Sequence, residues 1–397
     1  MQKRRIWEKL IKEIETDEIV VITGSRQVGK TTTLKWLLEQ IPSHNKIYLD
    51  LENLSDRELF EVKNYESLIS EFQRRGLMVT EKMYVGLDEI QLSPNIPSIV
   101  KYLYDHYHIK FFLTGSSSYY IRNRFSESMA GRKVIYEMFP LSFQEFIDFR
   151  GFAYSSESEE FFDIVEFSDP AYQQLKSYYQ EYIEYGGLPR VVLTPEVSRK
   201  VTLLEEIFSS YINLDVQALA DFKSTHDLRR VIKLLAARIG NKLNVTEIAT
   251  ITGLTRVTVD SYIEFLKQTY MVRTIQAYSS SPDIKTRLQE KIYFVDTGIA
   301  NVNADLSSGS KFENTICHQL SLWDGKLSYF SNRDGEIDFI VEQGKEVGAF
   351  EVKETPTQTD YVTLVRRASK LGITHCRVIG KEPSAKFSTF LWGGFIK

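Results

Sequence analysis

Residues 24 to 31, Gly24-Ser25-Arg26-Gln27-Val28-Gly29-Lys30-Thr31, carry the residue types that cradle a phosphate: a glycine, four residues, then Gly-Lys-Thr. The stretch Ile19-Val20-Val21-Ile22 before them has the β-branched composition of a strand. Thr32-Thr33-Leu34-Lys35-Trp36-Leu37-Leu38 after them reads as a helix. A strand that enters such a turn and leaves it as a helix aims several backbone N–H groups at one point, where the helix dipole adds partial positive charge. There Lys30 would reach the β- and γ-phosphates of a nucleoside triphosphate and the Thr31 hydroxyl would help hold Mg2+, with Gly24 to Thr32 forming the cradle. ATP and Mg2+ are the expected ligands.

A second set of residues has the chemistry to act on what the first set binds. Met83-Tyr84-Val85-Gly86-Leu87-Asp88-Glu89 is a mostly apolar run ending in two carboxylates, roughly sixty residues after the glycine-rich turn. Asp88 would hold Mg2+ through water and Glu89 would polarise the water that attacks the γ-phosphate, so hydrolysis is expected as well as binding. Lys110-Phe111-Phe112-Leu113 is a third strand, and the hydroxyls of Thr114-Gly115-Ser116-Ser117-Ser118 follow it. Thr114 is a candidate γ-phosphate contact; a solvated turn fits equally well.

A third and a fourth set lie further on. Val245-Thr246-Glu247-Ile248-Ala249 reads as a short helix, Gly253 as a tight turn, and Thr255 as the cap of a second helix through Leu266: a helix-turn-helix. Met271 to Ile275 and Lys291 to Val295 would be the strands of a wing. Thr255, Arg256, Thr258 and Val259 then begin the helix that enters a DNA major groove, with Lys242 nearby. Between Lys223 and Arg273 there are nine Lys or Arg against four Asp or Glu, the local excess that DNA contact requires. Domain packing alone is the competing reading.

In the last ninety residues, Gly335 to Val341 is a strand containing Asp338, and Ala349-Phe350-Glu351-Val352-Lys353 is a second one. Alternation places Glu351 and Lys353 on one face of the sheet. Glu313, in the helix opened by Lys311-Phe312-Glu313-Asn314, is placed to approach the same point. Glu313, Asp338 and Glu351 would bind Mg2+, with Lys353 activating a water against a phosphodiester. An edge hairpin with ordinary surface charge is the alternative.

These residues need scaffolds to hold them. Residues 1–150 alternate strand and helix patterns, with strands at 18–23, 46–50, 83–88, 110–114 and 133–138, which implies a parallel sheet with its ligand at the carboxyl ends. Residues 153 to 170 carry Ser and acids but no Lys or Arg, the composition of a linker. A helix from Tyr172 to Tyr185 follows and stops at Gly186-Gly187-Leu188-Pro189. The organisation is then a nucleotide-binding core at 1–150, a linker and helical lid at 151–220, a winged helix-turn-helix at 221–300 and a C-terminal α/β domain at 301–397.

At 397 residues, the chain is long enough for several cores. A net charge of −4 leaves nucleic-acid binding to a local patch. Cys317 and Cys376 are the only cysteines, which excludes a disulfide framework and fits a reducing cytoplasm. No apolar run has the length of a membrane span.

The order of motifs resembles prokaryotic AAA-type ATPases that carry a C-terminal domain of the PD-(D/E)xK nuclease superfamily. The resemblance rests on Gly24 to Thr31, Leu87-Asp88-Glu89-Ile90-Gln91, Leu113 to Ser118, Ala130-Gly131-Arg132, Phe139-Pro140-Leu141-Ser142-Phe143-Gln144-Glu145-Phe146, Tyr185 to Pro189, and Asp338, Glu351 and Lys353. It implies a P-loop ATPase core with a helical lid, a winged helix and a restriction-endonuclease-like domain. It also suggests Arg132 as an arginine finger completing a neighbouring copy's site in a homo-oligomer, with Arg122 and Arg124 as competitors and a structural arginine as the alternative. The expected activity is an ATP-driven switch on DNA coupled to a metal-dependent nuclease; the alternative is a non-cutting DNA- or protein-binding regulatory ATPase with an inactive nuclease fold.

Overall fold

Ile19–Gly24 and Ile109–Gly115 form strands buried along their whole length, as in a sheet covered on both sides, with Lys110 and Thr114 as buried polar residues near the two ends of the second. In this computed structural model the described residues are 2–116, 131–152, 168–216, 224–279, 288–384, 387 and 389–396. They divide into two compact units: Met1–Phe139 with Ser210–Phe222 and Gln268–Tyr270, and Pro140–Ser209 with Lys223–Lys267 and Met271–Lys397. Ser117, Ser118, Arg122, Arg124, Ala130 and most of the acidic 153–170 run lie outside the described residues.

The first unit runs α1 (Ile6–Leu10), β1 (Ile19–Gly24), α2 (Lys30–Gln40), β2 (Lys46–Asp50), α3 (Leu54–Glu58), α4 (Glu66–Arg74), β3 (Met83–Asp88), α5 (Ile96–His106), β4 (Ile109–Gly115) and β5 (Lys133–Met138). Its sheet has the order β2-β3-β4-β1-β5 and every pairing is parallel. The α/β fold with a parallel sheet is as expected, each strand within a residue of its anticipated limits. Alternation sorts the side chains by face. Ile19 and Val21, Val85 and Leu87, and Phe111 and Leu113 pack with Leu68 and Phe72 of α4 and with Ile99 and Leu103 of α5. Truncating one of these to Ala would cost about 2–5 kcal/mol. On the opposite face α2 comes so close that a Cβ at Gly86 would stand 2.7 Å from Leu38 Cδ1. Because β4 lies between β1 and β3, the tips of these strands, Gly24, Asp88 and Gly115, line one edge.

The second unit begins with α6 (Phe143–Phe149), whose Ser142 hydroxyl accepts from Glu145 N while the Glu145 carboxylate accepts from Ser142 N, a capping box. It continues through α7 (Asp169–Tyr185), α8 (Pro189–Val192), α9 (Val197–Ser210), α10 (Thr225–Ala236), α11 (Val245–Thr252) and α12 (Arg256–Gln268). Then follow β6 (Val272–Ala277), β7 (Lys291–Phe294), α13 (Thr297–Asn301), α14 (Ser308–Ser321), β8 (Lys326–Asn332), β9 (Gly335–Gln343), β10 (Glu346–Lys353), α15 (Gln358–Ser369), β11 (His375–Gly380) and β12 (Leu391–Trp392).

Two placements in this unit were not evident beforehand. The strands assigned to a wing, β6 and β7, pair antiparallel, but β6 also pairs with β8, so they end a seven-stranded sheet of order β12-β11-β10-β9-β8-β6-β7. The helix expected to open a lid, α7, packs within this second unit: Tyr179 Oη donates to Gln319 Oε1 at 2.9 Å, and Lys311 Nζ reaches Glu184 Oε2 at 2.7 Å. At its end, Gly187 N donates to the buried Asp296 carboxylate at 2.8 Å. No helix among the described residues is long and apolar enough to cross a membrane.

Candidate active site

The glycine-rich turn joins β1 to α2 through backbone that only glycine adopts at low cost. Gly24 has φ +149°, and a Cβ there would stand 2.0 Å from Met138 O; Gly29 has φ +96° at the helix start. The first helical bond runs from Thr33 N to Gly29 O at 2.9 Å, so the preceding amides of Lys30, Thr31 and Thr32 point out of the helix end. Lys30 is 4% exposed, and its Nζ donates to Gly24 O (3.1 Å) and Ser25 O (2.9 Å), inside the turn. Ser25 Oγ is buried with no hydrogen-bond partner. Val28 is buried and its carbonyl accepts from Arg4 Nη1 at 2.6 Å, while Arg4 Nη2 donates to Phe139 O at 2.9 Å. Gln27 is exposed with φ +61°. Arg26 donates to Ser210 Oγ at 2.7 Å and lies 3.9 Å from Glu52. Burial, then the nearby Glu89 charge, pushes the Glu52 carboxyl up from its ordinary value. Outward amides, an unpartnered buried hydroxyl and an internal lysine suit an anionic phosphate group.

Asp88 ends β3, 1% exposed, with both carboxylate oxygens engaged: Tyr48 Oη donates to Oδ2 at 2.8 Å and the Thr114 hydroxyl donates to Oδ1. Burial, followed by the Asp88 charge, pushes the Tyr48 phenol up. Glu89 is half-buried in the left-handed region (φ 55°), its N–H donating to Thr114 Oγ1 at 3.1 Å. Gln91 Nε2 donates to Glu89 Oε2 and, at 2.9 Å, to Ser116 Oγ. The structure thus brings Asp88, Glu89 and Thr114 together on the edge that bears the turn. Each carboxylate oxygen retains a lone-pair direction, so Asp88 and the Thr31 hydroxyl are the groups suited to a divalent ion here. Sequence reasoning missed Tyr48 and Arg4, and it gave Gln91 no role although that residue stands in the Leu87 to Gln91 motif. Gln91, two residues past Glu89, was the one with a local signal.

Arg132 precedes β5, whose pairing with β1 begins at Ile19↔Lys133 and ends at Gly24↔Met138. It therefore lies at the opposite edge from its own turn, about 17–20 Å away along the strand. Its Nε stands 3.1 Å from Asp105.

In the second unit, Asp338 of β9 accepts from Val352 N at 2.8 Å and Lys353 Nζ donates to Glu351 Oε1 at 2.8 Å, leaving Glu351 Oε2 buried and unpartnered. Glu313 of α14 accepts from Tyr293 Oη at 2.8 Å. Lys291, absent from the expected set, stands 3.7 Å from Glu313 Oε1 and closer still to Glu336. Burial, then Asp338, raises Glu351 to about 7; burial also raises Asp338 and Glu313. Among the described residues no group of three or more His, Cys, Asp or Glu side chains is arranged to hold a metal ion.

Of the expected DNA contacts, Thr255, Arg256 and Thr258 sit together at the start of α12, and Lys242 precedes α11. Thr255 Oγ1 accepts from Thr258 N at 3.1 Å, capping α12 after the left-handed Gly253. Arg256 is exposed and 3.6 Å from Asp260, and Val259 is fully buried. Lys242 donates to Ser331 Oγ at 2.9 Å.

Comparison with known proteins agrees with the first unit's geometry. Residues 16–147 match the family described as AAA domain. Residues 176–310 and 308–385 match two domains of unknown function, DUF8612 and DUF4143. An uncharacterized protein of Haemophilus influenzae is 28% identical over 375 residues, covering 89% of this chain and 88% of its own. One from Methanocaldococcus jannaschii is 25% identical over 353 residues, covering 85% and 76%. Among solved structures, the ORC2 protein of Aeropyrum pernix in its ADP form is 14% identical over 75% of this chain and 92% of that one, with a TM-score of 0.38. That overlap is too loose to bear on fold or function.

Proposed function

We propose that this chain is a Mg2+-dependent ATP hydrolase that works as an ATP-driven switch on DNA. The supporting observation is the Thr114 hydroxyl bound between the Asp88 carboxylate and the Glu89 amide, on the sheet edge that carries Lys30. The residues from Gly24 to Thr32 hold the phosphates, with Lys30 neutralising charge on the terminal ones. Thr31 and Asp88 hold Mg2+, which when bound offsets charge on the phosphate oxygens. Glu89 orients the attacking water and accepts its proton. Gln91, on the same carboxylate, restrains the direction in which Glu89 points. Arg132 is a finger only for a neighbouring copy in a homo-oligomer, since its own turn is at the far edge. Lys30→Ala tests the reading: ATP binding and turnover should both be lost, and retained turnover would refute it.

DNA contact through Lys242, Thr255, Arg256 and Thr258 is supported by the short helix, left-handed glycine and second helix of α11 and α12. A protein partner on the same face is favoured by exposed Ile251 and Val257 and by the exposed acids Asp260 and Glu264.

For the C-terminal domain we favour the non-cutting alternative over a nuclease. The observation behind it is buried Lys291 among the carboxylates that would otherwise bind metal.

A further inference from the structure

Four carboxylates, Glu313, Glu336, Asp338 and Glu351, and two lysines, Lys291 and Lys353, share one region of the second unit. The lysines differ in setting. Lys353 is 37% exposed by its side chain and pairs with Glu351; Lys291 is 3% exposed and lies against both Glu313 and Glu336. Its ammonium also stands 5.4 Å from the centre of the Tyr329 ring. Burial works against a charged Lys291, yet Glu313, Glu336 and Asp338 outweigh it and hold the ammonium above its ordinary range.

The cage around this ammonium is fixed. The Lys291 backbone pairs with Ile275 in the ladder and bridges to Lys242 on its other side. Glu313 is held by Tyr293 and pressed against the backbone of Gly240, where a Cβ would stand 2.8 Å from Oε1.

We propose that Lys291 is the resident cation between Glu313 and Glu336, its ammonium taking up the Glu313 carboxylate that a divalent metal at this cluster would need. An ammonium nitrogen rests about 2.7–2.9 Å from its oxygens. Mg2+ requires oxygens at about 2.0–2.1 Å in near-octahedral array. A divalent ion on Glu313 would have to displace this ammonium or sit against it where little water screens the repulsion. Lys291 is 3% exposed and is held between Glu313 and Glu336, so Glu313 remains with the lysine. Glu313 is then a charge-paired element of the fold and not a ligand of a catalytic metal. The inference rests on the non-cutting reading and is independent of ATP turnover.

The test is a Mn2+ titration of the full-length, nucleotide-free protein, following free Mn2+ by electron paramagnetic resonance. Wild type should show no site that depends on Glu313. Lys291→Met should gain one Mn2+ equivalent bound at least about tenfold tighter than any Mn2+ held by wild type, and Lys291→Met/Glu313→Gln should lose it again. A Mn2+ site in wild type that Glu313→Gln abolishes would overturn the proposal, and this arm stands even if Lys291→Met does not fold. A folded Lys291→Met that gains no site would overturn the role of Lys291 alone. Mn2+-dependent DNA cleavage by wild type, lost in Lys353→Ala, would overturn the non-cutting reading with it.

Discussion

The Thr114 hydroxyl donates to Asp88 Oδ1 and accepts from the Glu89 amide, so one side chain at the tip of β4 sets the positions of both acids at the tip of β3. Thr114→Val keeps the shape but removes both bonds. Leaving a buried carboxylate oxygen without its donor costs about 1–3 kcal/mol. We expect kcat for ATP to fall about 10–100-fold, with nucleotide affinity in a binding assay little changed. A loss of affinity with unchanged kcat would mean that Thr114 contacts phosphate directly.

Arg256→Glu combined with Lys242→Glu reverses two of the charges proposed to meet DNA, one at the start of α12 and one before α11. DNA affinity should drop and its dependence on salt should flatten, because fewer counterions are released on binding. Affinity equal to wild type at every salt concentration would assign this face to a protein partner.

Asp296 is buried, and burial raises its carboxyl to about 6, against the pull of the Gly187, Ile299 and Gly298 amides. A carboxyl with a raised folded pKa stabilises the fold below its unfolded pKa and loses that contribution as pH rises. Stability should therefore decline from about pH 4 to about pH 6 on account of this group, by up to about 3 kcal/mol. Burial pushes His318 down to about 3, so its contribution has the opposite slope, being lost as pH falls from about 6.5. Denaturant unfolding of Asp296→Asn against wild type across this range isolates the aspartate. The gap between the two should change with pH, and parallel curves would show that Asp296 titrates normally.

Much of the first unit was legible because its strands are covered on both faces. Two-sided burial writes itself as unbroken runs such as Ile19 to Ile22, and the residues at their carboxyl ends must face the edge that receives ligand. The glycine-rich turn and Asp88-Glu89 were found on that logic. Tyr48, Arg4 and Lys291 were not, because each acts on residues at least 22 positions away and carries no mark of its own in the local pattern. The docking of α7 on α14 and the joining of β6 to β8 were hidden for the same reason. Edge pairing and helix docking are decided by long-range register, and the apolar faces of Tyr172 to Tyr185 or Met271 to Ile275 fit more than one partner.

In the proposed function Glu89 activates water at a nucleotide held by Lys30 and Thr31. We would make Glu89→Gln first and measure ATP binding and steady-state hydrolysis on the same preparation. Binding should stay close to wild type and turnover should fall by about a hundredfold or more. Normal hydrolysis would rule out Glu89 as the activating group.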